Sequence, residues 1–296
     1  MDSQTKNYAR RRSSYSSALL IAPASAVIFL FLLIPAALIA LYSLYEFAGA
    51  GRIGATLTFE NWRELLGDPY YIGALFKTCR IALTATIACA VVGYPVAYFM
   101  WQTKPAQRIA LVTLLIVPFW ISFIIRTFSW VYILGDRGLI NYALVSLGVV
   151  SAPIKILYTE TAVLIGLVHF LLPYMVMNIL VGLDNVDKNV LLAARSLGAS
   201  EADAFRKITL PLSKSGLWAG SMLTFVLAAG SYITPTILGG PDDFLFANLV
   251  SDAINSQLNW PMGSTLSVTM LIILGSVTLL FVRFMGIGRL HRALGG

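Results

Sequence analysis

Residues 161–183 read TAVLIGLVHFLLPYMVMNILVGL and contain no Asp, Glu, Lys or Arg. A helix needs about 20 consecutive apolar residues to cross the hydrocarbon core of a bilayer. This stretch is therefore long enough to span a membrane. Strands of a membrane β-barrel would be shorter and would alternate apolar with polar residues. The stretch predicts a transmembrane α-helix.

The rest of the chain has the same character. Of its 296 residues 58% are hydrophobic and only 12% are charged, whereas soluble domains carry about 25% charged residues. So large an apolar excess predicts an all-α integral membrane protein with six transmembrane helices. The predicted spans are residues 18–42, 81–103, 109–134, 161–183, 215–239 and 264–284. Residues 1–12 are predicted to form a cytoplasmic basic tail, and residues 13–296 a six-helix transmembrane domain.

The basic residues predict the orientation of these spans. Six spans place both termini on one side, and fourteen of the 21 Lys and Arg residues lie on that side. Six lie on the opposite side, and Arg126 falls within the third span. Cytoplasmic loops are enriched in Lys and Arg, so both termini are expected in the cytoplasm. The net charge of +7 is then a topology signal and does not point to a nucleic-acid partner.

The sequence offers little material for catalysis. Cys79 and Cys89 lie at or inside one apolar segment, and His169 and His291 are far apart, so neither pair has the spacing of a metal site. No Gly-x-x-x-x-Gly-Lys-Ser/Thr motif occurs, so the chain does not bind ATP through a P-loop. We expect no catalytic residue, no metal and no cofactor in this chain.

The loop at residues 184–214 has well-marked helix ends. Asp187 can cap a first helix, and Gly198 can stop it in the left-handed conformation. Ser200 can cap a second helix, with Asp203 at capping-box spacing, and Pro211 is expected to end it. Two short amphipathic helices suit either a rigid mechanical contact or an ordinary interfacial helical hairpin.

A resemblance favours the mechanical contact. The run AARSLGAS at residues 193–200, followed by ITLPL at 208–212, closely resembles the "EAA" loop of permease subunits in binding-protein-dependent ABC importers. In that family the loop docks into a groove on the ATPase. The resemblance implies ATPase-coupling roles for Ala193, Ala194, Arg195, Leu197, Gly198, Ala199, Ser200 and Pro211. Leu192 stands where the family usually has Glu, and we expect it to pack against the neighbouring helix.

Four other runs extend the resemblance. LTFENW at 57–62, GYPVAYF at 93–99, PFWIS at 118–122 and GLIN at 138–141 look like the spermidine/putrescine permease subgroup, which also includes permeases for other small charged solutes. The resemblance implies a type I, methionine-importer-like permease fold in the bacterial inner membrane. It also implies three kinds of partner: a second, distinct permease, two copies of a cytoplasmic ATPase that holds ATP and Mg, and a periplasmic solute-binding protein.

A solute path through lipid needs polar groups that face a cavity. Arg126 is the one charge deep in a predicted span, and Ser122 and Trp130 share its helical face. Arg126 is expected either to meet a solute or a partner carboxylate, or to extend its charge to the lipid headgroups. The remaining path candidates are aromatic or polar residues, several of them at a predicted helix break: Trp120, Tyr174, Asn178, Ser231, Tyr232 and Thr234.

The substrate is less well specified than the fold. A polyamine would favour aromatic faces, but Arg126 would repel a cation unless it were neutralised. The leading expectation is inward transport of a polyamine. The alternatives are an importer of the same class for an amino-acid-derived or anionic solute, an ion-driven secondary transporter, and a membrane-embedded enzyme. A secondary transporter would leave the loop at 184–214 unexplained.

Overall fold

The computed structural model describes residue 23 and residues 25–49 and 51–285. The predicted tail at residues 1–12 and His291 lie outside this range. The described helices are α1 (Ser25–Tyr42), α2 (Glu60–Gly67), α3 (Pro69–Gln102), α4 (Pro105–Ile116), α5 (Phe123–Leu134), α6 (Leu139–Ser146), α7 (Glu160–Asp184), α8 (Lys188–Ser196), α9 (Glu201–Ala204), α10 (Leu210–Ala229), α11 (Ile233–Leu238), α12 (Phe246–Asn255) and α13 (Trp260–Met285). The described residues also form two strands, β1 (Tyr45–Phe47) and β2 (Ile53–Leu57).

Four of the described helices, α1, α3, α7 and α13, are long and apolar enough to cross a membrane. A fifth span results if the bent pair Pro105–Trp120 and Phe123–Ser146 counts as one. The six predicted spans are therefore not all recovered by length and hydropathy. The missing helix is α10, whose sequence includes Ser213, Lys214 and two glycines, Gly216 and Gly220. These polar and small residues lower its hydropathy, and three of them, Ser213, Gly216 and Gly220, lie close to α7.

The second span was predicted to begin at residue 81, but α3 begins at Pro69. The Asp68 carboxylate accepts a hydrogen bond from the Tyr70 backbone N–H at 2.8 Å, and Pro69 occupies a first-turn position, where its missing N–H costs nothing. Lys77 and Arg80 lie inside the helix. The two charges interrupt the apolar sequence but not the helix, which begins about eight residues before Lys77.

The third predicted span, residues 109–134, is not one straight helix. A short 3₁₀ turn, Val117–Trp120, follows α4, and Ile121 is extended. The helices on either side are bent by 92°. Pro118 cannot donate a backbone hydrogen bond, so the α-helical ladder breaks there. The Arg126 guanidinium donates from Nη1 to the Pro118 carbonyl at 3.3 Å.

The fifth predicted span, residues 215–239, also differs. A π-helical turn, Phe205–Thr209, joins α9 directly to α10. Pro211 lies in the first turn of α10, directly after the π-helical turn, and the helical segment continues through it. The expectation that Pro211 ends the preceding helix is therefore wrong. The predicted break at residues 230–236 is present, because α10 ends at Ala229 and α11 begins at Ile233.

One structural unit comprises the described residues up to Leu65 together with Ala253–Val268. Its antiparallel hairpin pairs Tyr45 with Leu57 and Phe47 with Ile53. Gly49 and Gly51 adopt positive φ angles of 77° and 75° in the connecting turn, which side chains disfavour. The buried Asn61 amide donates to the Tyr45 carbonyl at 2.9 Å. The sequence analysis did not anticipate this hairpin.

The second unit comprises Leu66–Asp252 and the chain from Thr269 onward. Its centre is formed by α3, α7 and α10, which pack on one another around fully buried side chains such as Ile81, Leu171 and Ile179. Gly182 and Gly216 allow α7 and α10 to approach each other closely: a Cβ atom on Gly182 would lie 2.8 Å from the Gly216 Cα. The backbones of α7 and α10, the helices on either side of the loop, are therefore in close contact at these glycines.

Candidate functional site

The residues with the strongest functional prediction form an α8–α9 hairpin, which we define as Lys188–Ala204. Both N-terminal caps are as predicted. The Asp187 carboxylate accepts from the Asn189 N–H at 2.8 Å, and the Ser200 hydroxyl oxygen accepts from the Asp203 N–H at 3.1 Å. Each cap satisfies a backbone donor that a helix start leaves without a partner. The hairpin therefore contains its own helix-start signals.

Gly198 sets the turn between the two helices. Its φ angle is +86°, a left-handed conformation in which a Cβ atom is unfavourable. The Gly198 N–H donates to the Arg195 carbonyl at 2.9 Å, and the Ala199 N–H donates to the Ala194 carbonyl at 3.0 Å. These two bonds form a Schellman motif. The predicted left-handed stop is present, and Ala194, Arg195 and Ala199 contribute to it through their backbones.

The hairpin presents apolar side chains outward. Leu197, beside the turn, is 89% exposed. Val190 and Ala193 precede it on the same helical face and are also exposed. Leu192 is 57% exposed, so the expectation that it packs against a neighbouring helix is wrong; the preceding residue, Leu191, packs against the core instead.

One ion pair links the two helices of the hairpin, and a second lies within the helical segment that follows Ser200. Arg195 Nη2 lies 2.8 Å from Glu201 Oε2 and so links α8 to α9. Lys207 Nζ lies 2.7 Å from Asp203 Oδ1, and the Ser200 hydroxyl donates to the other Asp203 oxygen at 2.7 Å. The hydrogen bond from Lys207, and then that from Ser200, hold the pKa of Asp203 below its ordinary value. The Asp203 carboxylate is therefore ionised at neutral pH.

Phe205 anchors the hairpin to α3. Its ring lies edge-on against Tyr98, with centroids 5.3 Å apart, and against Tyr94, with centroids 5.7 Å apart. The Tyr94 hydroxyl is hydrogen-bonded to the Ser213 hydroxyl of α10 at 2.7 Å. Aromatic pairs in this geometry stabilise a contact beyond their buried area. The loop is thus fixed to the helix core through a side chain as well as through its two ends.

A further contact fixes the start of the loop. The Arg108 guanidinium of α4 forms a two-bond pair with the Asp184 carboxylate at the end of α7, with Nη1 to Oδ1 at 2.8 Å. Two-bond pairs of this kind restrict orientation as well as distance. Arg108 and Asp184 thereby hold the end of α7 that leads into the α8–α9 hairpin.

The second candidate site surrounds Arg126. Its guanidinium carbon lies 4.9 Å from the centre of the Phe119 ring and 5.6 Å from that of Phe170. The Tyr174 ring packs edge-on against Phe119 at 5.2 Å. The Arg126 side chain is therefore held between aromatic rings of the turn and of α7. The Arg126 Nε is buried and has no hydrogen-bond partner among the described residues.

Trp130 and His169 form a pair close to this arginine. The Trp130 indole N–H donates to His169 Nδ1 at 3.2 Å. An indole nitrogen can only donate, so Nδ1 is the unprotonated nitrogen and Nε2 carries the ring proton. Arg126 and His169 both line a cavity of about 330 Å³. Of the nine predicted path residues, Arg126 alone is among the residues that line it.

The other path candidates do not converge on Arg126. The Asn178 amide donates to the Tyr174 carbonyl of its own helix at 2.8 Å. The Tyr232 carbonyl, at the break between α10 and α11, accepts from the Asn248 amide at 3.1 Å. The Thr234 hydroxyl is buried without a partner within the described part of the chain. The Trp120 side chain is 86% exposed and that of Tyr232 is 43% exposed. Ser122 is also exposed, and Ser231 is half-buried.

The sequence analysis missed Phe205 and His169. Phe205 is an aromatic residue directly before the charged pair Arg206 and Lys207, and Tyr94 and Tyr98 are four residues apart on one helical face. Those two signals could have identified the aromatic contact. His169 was considered only as a metal ligand, and its pairing with Trp130 across two helices has no signature in the sequence.

Comparisons with known proteins agree with this architecture. Residues 82–287 match the family model described as "Binding-protein-dependent transport system inner membrane component". The chain is 38% identical over 234 residues to the spermidine/putrescine transport system permease protein PotB of Escherichia coli (strain K12). The aligned region covers 79% of this chain and 85% of that protein.

Two solved structures have the same fold. The first is a chain of a bacterial ABC transporter involved in the import of the acidic polysaccharide alginate, with a TM-score of 0.76 at 13% identity over 95% of this chain and 98% of that one. The second is a chain of the MetNI methionine ABC transporter in an inward-facing conformation, with a TM-score of 0.54 at 17% identity over 72% of this chain and 93% of that one. The fold is that of ABC importer permeases, and the chain belongs to the family of inner-membrane components of binding-protein-dependent transport systems.

Proposed function

We propose that this chain is a permease subunit of an ABC importer that moves a polyamine of the spermidine/putrescine class inward across the inner membrane. The chain forms part of the membrane channel and carries out no chemistry of its own. Both termini lie in the cytoplasm, as the distribution of Lys and Arg favours. The α8–α9 hairpin then lies on the cytoplasmic side.

The observation that carries the proposal is the outward-facing leucine on a braced hairpin. Leu197 is 89% exposed at the tip of the α8–α9 hairpin, which two caps, a Schellman turn and the Arg195–Glu201 ion pair hold in shape. A rigid element that exposes an apolar residue is suited to docking into a preformed groove. We assign this groove to a cytoplasmic ATPase.

The proposed assembly contains three kinds of partner. A second, distinct permease completes the channel, two copies of the ATPase bind ATP and Mg, and a periplasmic protein delivers the solute. Phe205, together with the Arg108–Asp184 pair, supports a mechanical role for the hairpin, because these contacts fix it to α3, α4 and α7. Movement of the ATPases would then be transmitted to helices that line the channel.

The polyamine assignment rests on similarity to the E. coli permease named above. Aromatic rings near the bend of the chain, such as Phe119 and Tyr174, offer faces that attract cations. Arg126 favours a second candidate, an amino-acid-derived or anionic solute, because its buried Nε has no partner among the described residues. The importer class is the same in both cases.

Reconstitution into liposomes tests the proposal. The chain is purified with its partner permease and ATPase, and the solute-binding protein is supplied on the opposite side of the bilayer from the ATPase. We expect ATP-dependent uptake of labelled spermidine or putrescine and a solute-stimulated rate of ATP hydrolysis. Uptake of glutamate instead would favour the second candidate. Uptake driven by an ion gradient without ATP would contradict both and would favour a secondary transporter.

A further inference from the structure

The cavity beside Arg126 has a composition that a polar transport path would not have. Ten of its twelve lining residues are apolar, and the other two are Arg126 and His169. The apolar residues come from three helices and from the 3₁₀ turn: Val96, Phe99, Met100, Leu111, Leu114, Leu115, Pro118, Phe119, Leu172 and Pro173. A small polyamine would find almost no hydrogen-bond acceptor on these side chains.

Both polar residues of the cavity are donors. Arg126 Nη1 already donates to the Pro118 carbonyl, whereas its buried Nε has no partner among the described residues. The Nε and Nη2 edge of a guanidinium is one of the two forks that bind a carboxylate through two bonds. His169 Nδ1 accepts from Trp130, so the other nitrogen of this ring, Nε2, carries the proton. The polar part of the cavity therefore suits an anion.

The Arg126 Nε is buried, so a ligand in the cavity reaches it only when a neighbouring side chain shifts. Phe119 and Phe170 contact the guanidinium as cation–π partners, at 4.9 and 5.6 Å from its carbon. An arginine stacked on aromatic faces still presents its N–H groups in its own plane. The two rings therefore orient the group without using its hydrogen bonds. A charged hydrogen bond to an unpaired buried donor is among the more stabilising that a protein forms.

The remainder of the cavity suits a hydrocarbon chain. Val96, Phe99 and Leu114 line it and are 37%, 61% and 70% exposed, so an apolar mouth opens at the surface of α3 and α4. In a membrane, this surface adjoins lipid chains. The volume of about 330 Å³ lies near the lower end of the range for small-molecule pockets. That size favours a molecule with one acyl chain over a phospholipid with two.

We propose that the cavity bounded by α3, α4 and α7 binds a long-chain fatty acid. Its carboxylate is held by Arg126 and His169, and its chain lies along Leu111, Leu114 and Leu115. The ligand enters from the surrounding lipid and occupies the inner side of the bend at Val117–Trp120. This assignment rests on the polyamine function proposed above, in which Arg126 does not bind the transported solute.

Binding of labelled oleate to the purified protein tests this proposal. The full chain is used together with the subunits that it retains in a mild non-ionic detergent, and oleyl alcohol serves as a neutral competitor of equal length. We expect saturable oleate binding that oleyl alcohol displaces at least about tenfold less effectively, because the alcohol lacks the charge. Spermidine should not displace oleate.

Two pairs of variants localise the site. Arg126→Gln should weaken oleate binding about tenfold or more, whereas Arg137→Gln, at an exposed arginine in a turn, should leave it unchanged. Leu115→Trp should block the chain-binding part while Arg126 is retained, and Ile109→Trp, on the exposed side of the same helix, should not. If Arg126→Gln does not yield folded protein, the pair on α4 decides the question.

Several results would overturn the proposal. Equal displacement by oleyl alcohol would mean that no carboxylate is recognised. Stronger displacement by phosphatidylglycerol than by unlabelled oleate would assign the site to a phospholipid. Binding to the isolated chain that disappears in the assembled complex would show that a partner subunit occupies the cavity. Unaltered binding by both Arg126→Gln and Leu115→Trp would place the fatty acid elsewhere.

Discussion

Gly182 of α7 and Gly216 of α10 lie so close together that a Cβ atom on Gly216 would sit 2.7 Å from the Gly182 Cα. The same atom would also clash with the Asn178 carbonyl oxygen. Real side-chain carbons do not occupy such positions, so one of the two helices would have to move. This contact joins the helices on either side of the α8–α9 hairpin.

Gly216→Ala should therefore destabilise the protein. The added methyl group meets backbone atoms that cannot rotate away, and overpacking of this kind costs about 1–3 kcal/mol. The free energy of unfolding, or the midpoint of thermal unfolding in detergent, gives the measurement. Gly73→Ala is a matched control, because Gly73 lies in α3 with nothing within 4 Å of its Cβ position. Equal stability of the two variants would contradict the close packing of α7 and α10.

Gly198→Val should uncouple or disassemble the complex. The φ angle of +86° disfavours a β-branched residue, so the turn between α8 and α9 would change. The measurement is the rate of ATP hydrolysis with and without solute in the reconstituted complex. Gly148→Val introduces a similar backbone conflict at φ +68° away from the hairpin. We expect this control to retain stimulation, and normal stimulation in Gly198→Val would argue against the role of the turn.

Leu197→Asp should weaken binding of the ATPase without reducing the stability of the permease. Leu197 is already 89% exposed, so its replacement removes little internal packing. In a docked complex, a buried leucine contributes about 1.5–3 kcal/mol. Copurification of the ATPase with the permease provides the measurement. Leu147→Asp is the control, since Leu147 is 77% exposed and lies outside the hairpin; loss of the ATPase in both variants would show a general defect.

Phe205→Ala should separate ATP hydrolysis from transport. It removes the edge-on contacts with Tyr94 and Tyr98, while the exposed Leu197 remains to bind the ATPase. We expect a retained ATPase subunit, continued hydrolysis and a several-fold lower uptake per ATP. Phe76→Ala, at a 73% exposed position of α3, is the control. If Phe205→Ala transported as well per ATP as this control, the aromatic contact would have no part in transmission.

Local sequence signals predicted the α8–α9 hairpin in most respects. Asp187, Gly198 and Ser200 act at short range, because a cap or a left-handed stop depends on a few neighbouring backbone groups. Pro211 was misinterpreted for the same reason: a proline can end one helix or begin the next, and the π-helical turn before it decided the outcome. The exposure of Leu192 depends on tertiary packing, which its neighbours in sequence do not specify.

The environment of Arg126 could not be predicted from sequence. Hydropathy identified an apolar segment around it but did not indicate the bend of 92° that follows α4. The two expectations for Arg126, a solute contact or extension to the headgroups, did not include the observed position between Phe119 and Phe170. Phe170 is 44 residues from Arg126 in sequence, and contacts at such separations emerge only when the helices pack.

The position of Phe205 has a consequence for how force is distributed. Because its ring rests on Tyr94 and Tyr98, and Tyr94 is bonded in turn to Ser213, a displacement of the hairpin cannot be absorbed by the loop alone. It exerts torque on α3 and α10 together. In the importer proposed above, a movement of the hairpin by a few ångströms would thus turn both helices at once, whereas a flexible loop would absorb the movement.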